Sequence, residues 1–197
     1  MSELTESQIK RFWTQGFLVV EDAVSKKQLN ELRNVFDSWV LESRSYNEDY
    51  GITLDGRARF DLEPGHREDC PALRRVQSPE EISDNYADVM RNSRMVEFVV
   101  DLIGPAIRFH HGKINSKLPG TATQVKFHQD FPFQPMTNDD IVTALLFMDD
   151  VTLKNETAYI EAWSEMMDSL STEGSVNGSY GINRAFAGND QSTHFVY

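Results

Sequence analysis

Two side chains near residue 130 have the chemistry to bind one metal ion together. The chain reads Phe127-His128-Gln129-Asp130 at the end of a predicted strand. Residues two apart in an extended chain point to the same face, so the His128 imidazole and the Asp130 carboxylate can bind an ion side by side. With a second histidine they form the two-histidine, one-carboxylate set that leaves coordination positions open on ferrous iron. The alternative is a surface histidine beside a turn carboxylate, since His-x-Asp is common by chance.

Composition argues against several other classes of function. The 197 residues include 31 Asp and Glu against 19 Lys and Arg, which gives a net charge of −12. Such a surface repels phosphate backbones and anionic lipids, so neither nucleic acid nor a membrane is expected as a partner. No apolar run has the roughly 18 residues that a membrane span needs. A single cysteine, Cys70, excludes an internal disulfide, and a cytoplasmic protein is expected.

Sequence signals predict four helices in the first part of the chain. Thr5 and Gln8 have capping-box form, and Gly16 offers a stop, which together predict a helix over about residues 6–15. Three further helices are predicted: one from Ser25, one from Ser78-Pro79 and one over residues 95–103.

The segments between these helices are predicted from hydropathy and charge. Residues 17–20 are apolar and predict a buried strand. Residues 43–77 are charged and predict a long irregular surface excursion, with His66 exposed. The aromatic residues at helical spacing are expected in the core: Trp13, Phe36 and Trp39.

Four short β-prone runs follow Pro105, which is the pattern of an antiparallel sandwich or barrel. They cover residues 106–111, 123–127, 141–148 and 157–162. Helices therefore precede strands without βαβ alternation, and an α+β fold is expected. We expect a single domain over residues 1–197, with a mainly helical part over 1–105 and a β core over 106–197.

Four segments, in order along the chain, resemble the phytanoyl-CoA dioxygenase family of iron(II)/2-oxoglutarate oxygenases. They are the helix, strand and helix within residues 4–36, the stretch from Gly112 to Gly120 with its lysine, proline and glycine, the motif His128-Gln129-Asp130-Phe131, and residues 147–155. The resemblance implies a double-stranded β-helix, a jelly-roll barrel of the cupin type. The metal would lie at the mouth of this barrel, with the N-terminal helices packed outside.

The resemblance also implies an activity and a set of contacts. A small organic molecule would be hydroxylated by O2 while the cosubstrate 2-oxoglutarate is oxidised to succinate and CO2, and His128 and Asp130 would bind Fe(II). Lys117 would bind a 2-oxoglutarate carboxylate, since a flexible ammonium suits that group. The alternative for Lys117 is a solvated loop residue. His111, at the end of the predicted strand 106–111, would face the substrate, with core packing or solvent exposure as the alternative.

The third metal ligand belongs to the part of the family pattern that this chain matches least. His194 lies downstream of Asp130 and is the expected ligand, but the family's arginine for the far carboxylate of 2-oxoglutarate does not follow it. Asn155-Glu156 and Ala162-Trp163-Ser164-Glu165 replace the family's Asn-Gly turn and Pro-Gly-Ser-His stretch. Two alternatives stay open. Either His194 has no metal role, or Asn177-Gly178-Ser179 replaces the usual His-Gly-Ser and leaves two ligands.

Three hypotheses follow. The first is an Fe(II)- and 2-oxoglutarate-dependent hydroxylase of a small molecule. The second, motivated by the missing arginine and the altered turns, is a catalytically inactive or truncated β-helix domain that binds a ligand or a partner chain. The third is a shortened enzyme whose last strands are lost or come from a second copy, which predicts an exposed sheet edge and a homodimer.

Overall fold

A computed structural model of the chain describes residues 2–118 and 141–149, together with the backbone of residues 195–196. Four α-helices lie in these segments: α1 (Glu6–Gln15), α2 (Lys26–Ser43), α3 (Asp84–Asn92) and α4 (Arg94–Ile103). A short 3₁₀ helix, Pro79–Glu81, precedes α3. Within the described ranges, no helix is long and apolar enough to cross a membrane.

Two helices begin at the capping boxes that the sequence predicts. The Thr5 hydroxyl accepts a hydrogen bond from the Gln8 N–H, and the Gln8 side chain accepts one from the Thr5 N–H at 2.9 Å. Ser25 and Gln28 repeat this arrangement at the start of α2. Gly16 ends α1 at a φ of 81°, a left-handed conformation that glycine adopts without steric cost. The predicted starts of α1 and α2 and the predicted end of α1 are confirmed.

The other two predicted helices differ in outcome. Residues 95–103 are helical, as expected, within α4. Ser78-Pro79 starts only the 3₁₀ turn, because Ser78 is left-handed with a φ of 46° and makes no side-chain cap. α3 begins later, where the Ser83 hydroxyl accepts a hydrogen bond from the Tyr86 N–H.

The strands form one antiparallel sheet in the order β1-β2-β3-β4-β5. Their bounds are β1 (Tyr50–Ile52), β2 (Ala58–Leu62), β3 (Leu73–Gln77), β4 (Lys113–Asn115) and β5 (Phe195–Val196). Three of these strands lie within residues 43–77, so the prediction of an irregular excursion is wrong. On β2 and β3 the charged side chains Asp61 and Arg75 lie on one face of the sheet, whereas Phe60 and Val76 lie on the other and are buried.

The apolar face of the sheet packs against the helices. Phe60, Val76 and Ile114 are aligned across β2, β3 and β4, and all three are buried. The Trp39 ring of α2 lies 5.9 Å from the Phe60 ring and 5.3 Å from the Tyr86 ring of α3, measured between centroids. These residues belong to one hydrophobic cluster that also contains Phe12, Leu32, Phe36, Phe98, Leu146 and Met148.

Residues 141–149 join this cluster through hydrogen bonds as well as apolar contacts. The Arg33 guanidinium donates to the Met148 carbonyl at 2.7 Å. The Tyr86 hydroxyl donates to the Leu32 carbonyl at 3.1 Å, which ties α3 to α2 beside the same segment.

Three predicted strands in the described ranges do not form. Residues 17–20 are extended, with Leu18 and Val20 buried and Val19 exposed, but they pair with no strand. Residues 106–111 and 141–148 also form no strand. In residues 17–20 and 141–148, apolar side chains are buried without a ladder of backbone hydrogen bonds, and a short apolar run does not distinguish this case from a strand. Residues 106–111 are mostly exposed. The predicted strands 123–127 and 157–162 lie outside the described residues.

Two predicted burial states are wrong. Trp13 was expected in the core but is 47% exposed, because it lies beside the apolar stripe of α1 that buries Phe12. His66 was expected to be exposed but is half-buried, and its Nδ1 accepts a hydrogen bond from the Ala72 N–H at 2.8 Å. Its Nε2 lies 2.9 Å from the Ser43 carbonyl oxygen, so the imidazole bridges the end of α2 and the segment before β3.

The first prediction compares two isoleucines in this sheet. Ile114→Ala removes a side chain that is 0% exposed, and Ile52→Ala removes one that is 74% exposed. We expect Ile114→Ala to lower the free energy of unfolding by about 2–5 kcal/mol because it leaves a cavity under the helices. Ile52→Ala should change it by less than about 0.5 kcal/mol. Urea unfolding measures both, and equal losses would show that the helices do not cover the face that carries Ile114.

Candidate active-site face

The second face of the sheet is polar, and it lies opposite the face that packs against the helices. Side chains alternate between the two faces of a strand, so the neighbours of Phe60, Val76 and Ile114 point away from the helices. We call this surface the polar face. Its residues on β2, β3 and β4 are Arg59, Asp61, Arg75, Gln77, Lys113 and Asn115.

One end of the polar face is closed by a buried arginine. The Arg59 guanidinium donates to the Gln77 carbonyl at 3.1 Å, to the Ser78 carbonyl at 2.8 Å and to the Ile52 carbonyl at 3.0 Å. It also forms an ion pair with Glu81 of the 3₁₀ helix. Because these bonds use three backbone acceptors from two segments, Arg59 holds the ends of β1 and β3 together rather than offering donors to a ligand.

At the same end of the polar face, Ser78 connects the end of β3 to the start of β4. Its N–H donates to the Gly112 carbonyl at 2.9 Å, although its left-handed backbone is uncommon for a residue with a side chain. The hydrogen bond from Arg59 to the Ser78 carbonyl stabilises that conformation. The start of β4, and with it Lys113, is therefore positioned by the turn that follows β3.

The middle of the polar face contains one carboxylate between two arginines. Asp61 lies opposite Arg75, and a register shift after Asp61 pairs Leu62 with Leu73, so that Arg74 has no partner on β2. Such a bulge turns two consecutive side chains toward one side. Arg75 Nη1 lies 3.4 Å and Arg74 Nη2 lies 3.7 Å from the same oxygen, Asp61 Oδ2.

Burial governs the ionisation of this carboxylate. The Asp61 side chain is 17% exposed, and its desolvation raises the pKa of the carboxyl above the ordinary value of 3.8. The Arg75 and Arg74 cations act in the opposite direction but do not outweigh the desolvation. Arg75 also donates through Nε to Asn115 Oδ1 at 3.3 Å, which extends the polar row from β2 to β4.

Lys117 continues the polar face beyond the end of β4. The Ser116 N–H donates to the Arg74 carbonyl at 2.8 Å, so the chain stays extended beside β3 after Asn115. Ile114 and Ser116 are buried, whereas Lys113, Asn115 and Lys117 are more accessible, which places Lys117 on the polar side. Partial burial of its ammonium lowers the pKa of Lys117.

His111 does not lie on a strand, so the strand argument for its direction fails. It is half-buried, and its Nδ1 lies 2.6 Å from the Nδ1 of His110. It precedes Lys113 by two residues and therefore lies at the start of the segment that becomes β4. Its predicted substrate contact stays a prediction.

The predicted metal ligands His128, Asp130 and His194 lie outside the described residues. In residues 2–118 and 141–149, no three His, Cys, Asp or Glu side chains are grouped closely enough to hold a metal ion. The backbone of β5 pairs with β4, with Phe195 opposite Asn115 and Val196 opposite Ile114.

Sequence reasoning missed Asp61, Arg74 and Arg75. They lie in the stretch that was interpreted as an irregular excursion because of its charge. A signal was present on β2, where Arg59, Phe60 and Asp61 alternate between polar and apolar side chains. On β3 the bulge interrupts this alternation, because two consecutive arginines separate the apolar residues Leu73 and Val76.

Comparisons with known proteins give the ancestry of this sheet. The sequence model of phytanoyl-CoA dioxygenase (PhyH) matches residues 12–157, which is more than half of the chain and includes β1 to β4. A probable alpha-ketoglutarate-dependent hypophosphite dioxygenase of Stutzerimonas stutzeri is 35% identical over 105 residues. The matching segment covers 53% of this chain and 36% of that relative, so the match spans about a third of the relative's length.

The second prediction concerns the pH dependence of stability at Asp61. A carboxyl with a raised pKa binds its proton more tightly in the folded state, so its contribution to stability is complete below about pH 3.8 and falls as pH rises through the higher folded pKa. Asp61→Asn removes this titration. We therefore expect the free energy of unfolding of the wild type, relative to that of Asp61→Asn, to decrease from pH 3 to pH 6. Urea unfolding across this range measures the difference, and a relative stability that rises with pH would contradict the assignment.

Proposed function

Because this chain belongs to the phytanoyl-CoA dioxygenase family, we propose that it catalyses the 2-oxoglutarate-dependent oxidation of a small molecule by O2. The observation that carries the proposal is the polar face, which lies within the family match and contains Lys117 at its end. The family has a cupin or jelly-roll fold, and the described part of this chain has helices on one side of an antiparallel sheet. We propose that this sheet is one wall of a double-stranded β-helix whose interior is the polar face.

Lys117 is the proposed contact for a 2-oxoglutarate carboxylate. Its ammonium is partly desolvated, which lowers the pKa of Lys117, and a carboxylate bound beside it would favour the charged form. Three further cationic residues, Lys113, Arg74 and Arg75, lie on the same side of the sheet as Lys117.

His128, Asp130 and His194 are the residues proposed to hold Fe(II). Their imidazole and carboxylate groups match the donor set that ferrous iron takes in such oxygenases. Bound Fe(II) would supply the redox chemistry by which O2 oxidises both 2-oxoglutarate and the substrate.

A second candidate function is a ligand-binding domain of the same fold without turnover. Glu156 and the stretch Ala162-Trp163-Ser164-Glu165 favour it, because they replace the glycine and Pro-Gly residues of the family's turns. Succinate formation separates the two candidates. Hypophosphite is the first substrate to assay, because it is in the name of the relative from Stutzerimonas stutzeri. A cytoplasmic location and a homodimer stay predictions.

The third prediction tests the metal ligands. We expect His128→Ala and Asp130→Ala to lower succinate formation in the presence of iron, ascorbate and 2-oxoglutarate by more than about 100-fold, since even partners of metal ligands contribute 10–100-fold. Asp69→Ala is the matched control, because Asp69 is exposed and paired only at the surface with Arg67. It should retain wild-type turnover. Turnover by Asp130→Ala equal to that of Asp69→Ala would overturn the ligand assignment, and no turnover by the wild type would favour the ligand-binding domain.

The fourth prediction tests the cosubstrate contact. Lys117→Ala removes the proposed charged hydrogen bond to the cosubstrate, so we expect the KM for 2-oxoglutarate to rise by about 10- to 100-fold. Lys27→Ala is the matched control, because Lys27 is exposed on α2 and pairs with Glu31. Steady-state kinetics with varied 2-oxoglutarate measure both variants. An unchanged KM in Lys117→Ala would show that Lys117 is a solvated residue without this role.

A further inference from the structure

Two consecutive arginines share one carboxylate on the polar face. Both guanidinium groups approach Asp61 Oδ2, at 3.4 Å from Arg75 and 3.7 Å from Arg74. Charged hydrogen bonds to a carboxylate are usually about 2.7–2.9 Å long, so both ion pairs are loose. The two guanidinium groups therefore meet at one carboxylate oxygen in a partly buried place.

The sheet geometry holds the two arginines on one side. Without the bulge, Arg74 would point toward the helices, since consecutive side chains on a strand alternate. The register shift opposite Leu62 places its guanidinium beside that of Arg75 instead. Asn115 orients Arg75 by accepting a hydrogen bond from its Nε.

Arg74 has a donor that the described part of the chain does not satisfy. Its Nε is buried and has no hydrogen-bond partner there, while the side chain as a whole is 40% exposed. Buried polar groups in native proteins almost always have a hydrogen-bond partner. The Arg74 Nε–H, which lies beside an accessible guanidinium, is therefore available to donate to an acceptor on a bound molecule. Asp61 does not supply it, since its oxygen lies nearest to Arg74 at Nη2.

We propose that Arg74 and Arg75 bind an oxyanion group of the substrate, either a carboxylate or a phosphorus oxyanion. A guanidinium presents a planar fork of donors that matches two oxygens of such a group, and two adjacent forks surround it. Asp61 holds the pair in place and competes with the anion for it. This inference rests on the proposed function, because it places the substrate on the same face as Lys117.

The experiment titrates inorganic phosphate into the metal-free full chain by isothermal calorimetry, and 2-oxoglutarate into the chain with Fe(II) under anaerobic conditions. We expect saturable phosphate binding that weakens with added salt and falls at least tenfold in Arg74→Gln and in Arg75→Gln. Asp61→Asn should strengthen it severalfold, because the competing carboxylate is gone. Arg67→Gln, which alters an exposed arginine paired with Asp69, is the matched control and should bind phosphate as the wild type does.

The two titrations separate the alternatives. Arg74→Gln should leave the affinity for 2-oxoglutarate within twofold of wild type, and Lys117→Ala should leave the affinity for phosphate within twofold. If Arg74→Gln weakens 2-oxoglutarate instead, the pair serves the cosubstrate and the substrate assignment is overturned. Phosphate binding that is absent in the wild type, or unchanged in both glutamine variants, also overturns it.

Two further measurements keep the result interpretable. Arg74→Lys and Arg75→Lys keep the charge without the fork, and circular dichroism reports whether each variant is folded. We expect the lysine variants to bind phosphate more weakly than the wild type and more strongly than the glutamine variants. If 2-oxoglutarate does not bind the wild type, the proposed function is contradicted, while the phosphate titration still tests the arginine pair.

Discussion

The two-sided sheet is the constraint on which the rest of this structure depends. Phe60, Val76 and Ile114 lie in one row across three strands and are buried under α2 and α3. A strand that buries one side chain must turn its neighbours to the opposite face. The hydrophobic contact with the helices therefore determines where Asp61, Arg75 and Asn115 point, although none of these polar residues contributes to the apolar cluster.

Two local departures from regular structure adapt this sheet to a polar site. The bulge at the register shift between Asp61 and Leu62 places Arg74 on the polar face, whereas a regular strand would point it toward the helices. The left-handed Ser78, held by Arg59, joins the end of β3 to the start of β4 and so brings Lys113 beside Gln77. Both devices are local in sequence, yet each determines which charges meet across three strands.

The sequence predicts the helices of this fold better than its sheet. The capping boxes at Thr5 and Ser25 are local signals, because the residues that form each hydrogen bond are three apart. β1 to β3 escaped prediction because their pairing does not follow from a fixed short spacing, as a helix cap does, and because their polar face resembles a surface loop. In the candidate site, Lys117 was predicted from its motif and lies on the polar side of the sheet. Arg74 and Arg75 could not be predicted, because the bulge that aims them depends on the pairing of β2 with β3.

The central claim is that the polar face lines the metal centre. Manganese(II) can replace iron(II) as a paramagnetic probe, and it broadens the NMR signals of nuclei close to it. We expect Mn2+ to broaden the amide signals of Lys113, Asn115 and Lys117 in the wild type and to leave those of α1 sharp, with the effect lost in His128→Ala. Broadening that spares β4, or that persists unchanged in His128→Ala, would contradict the account.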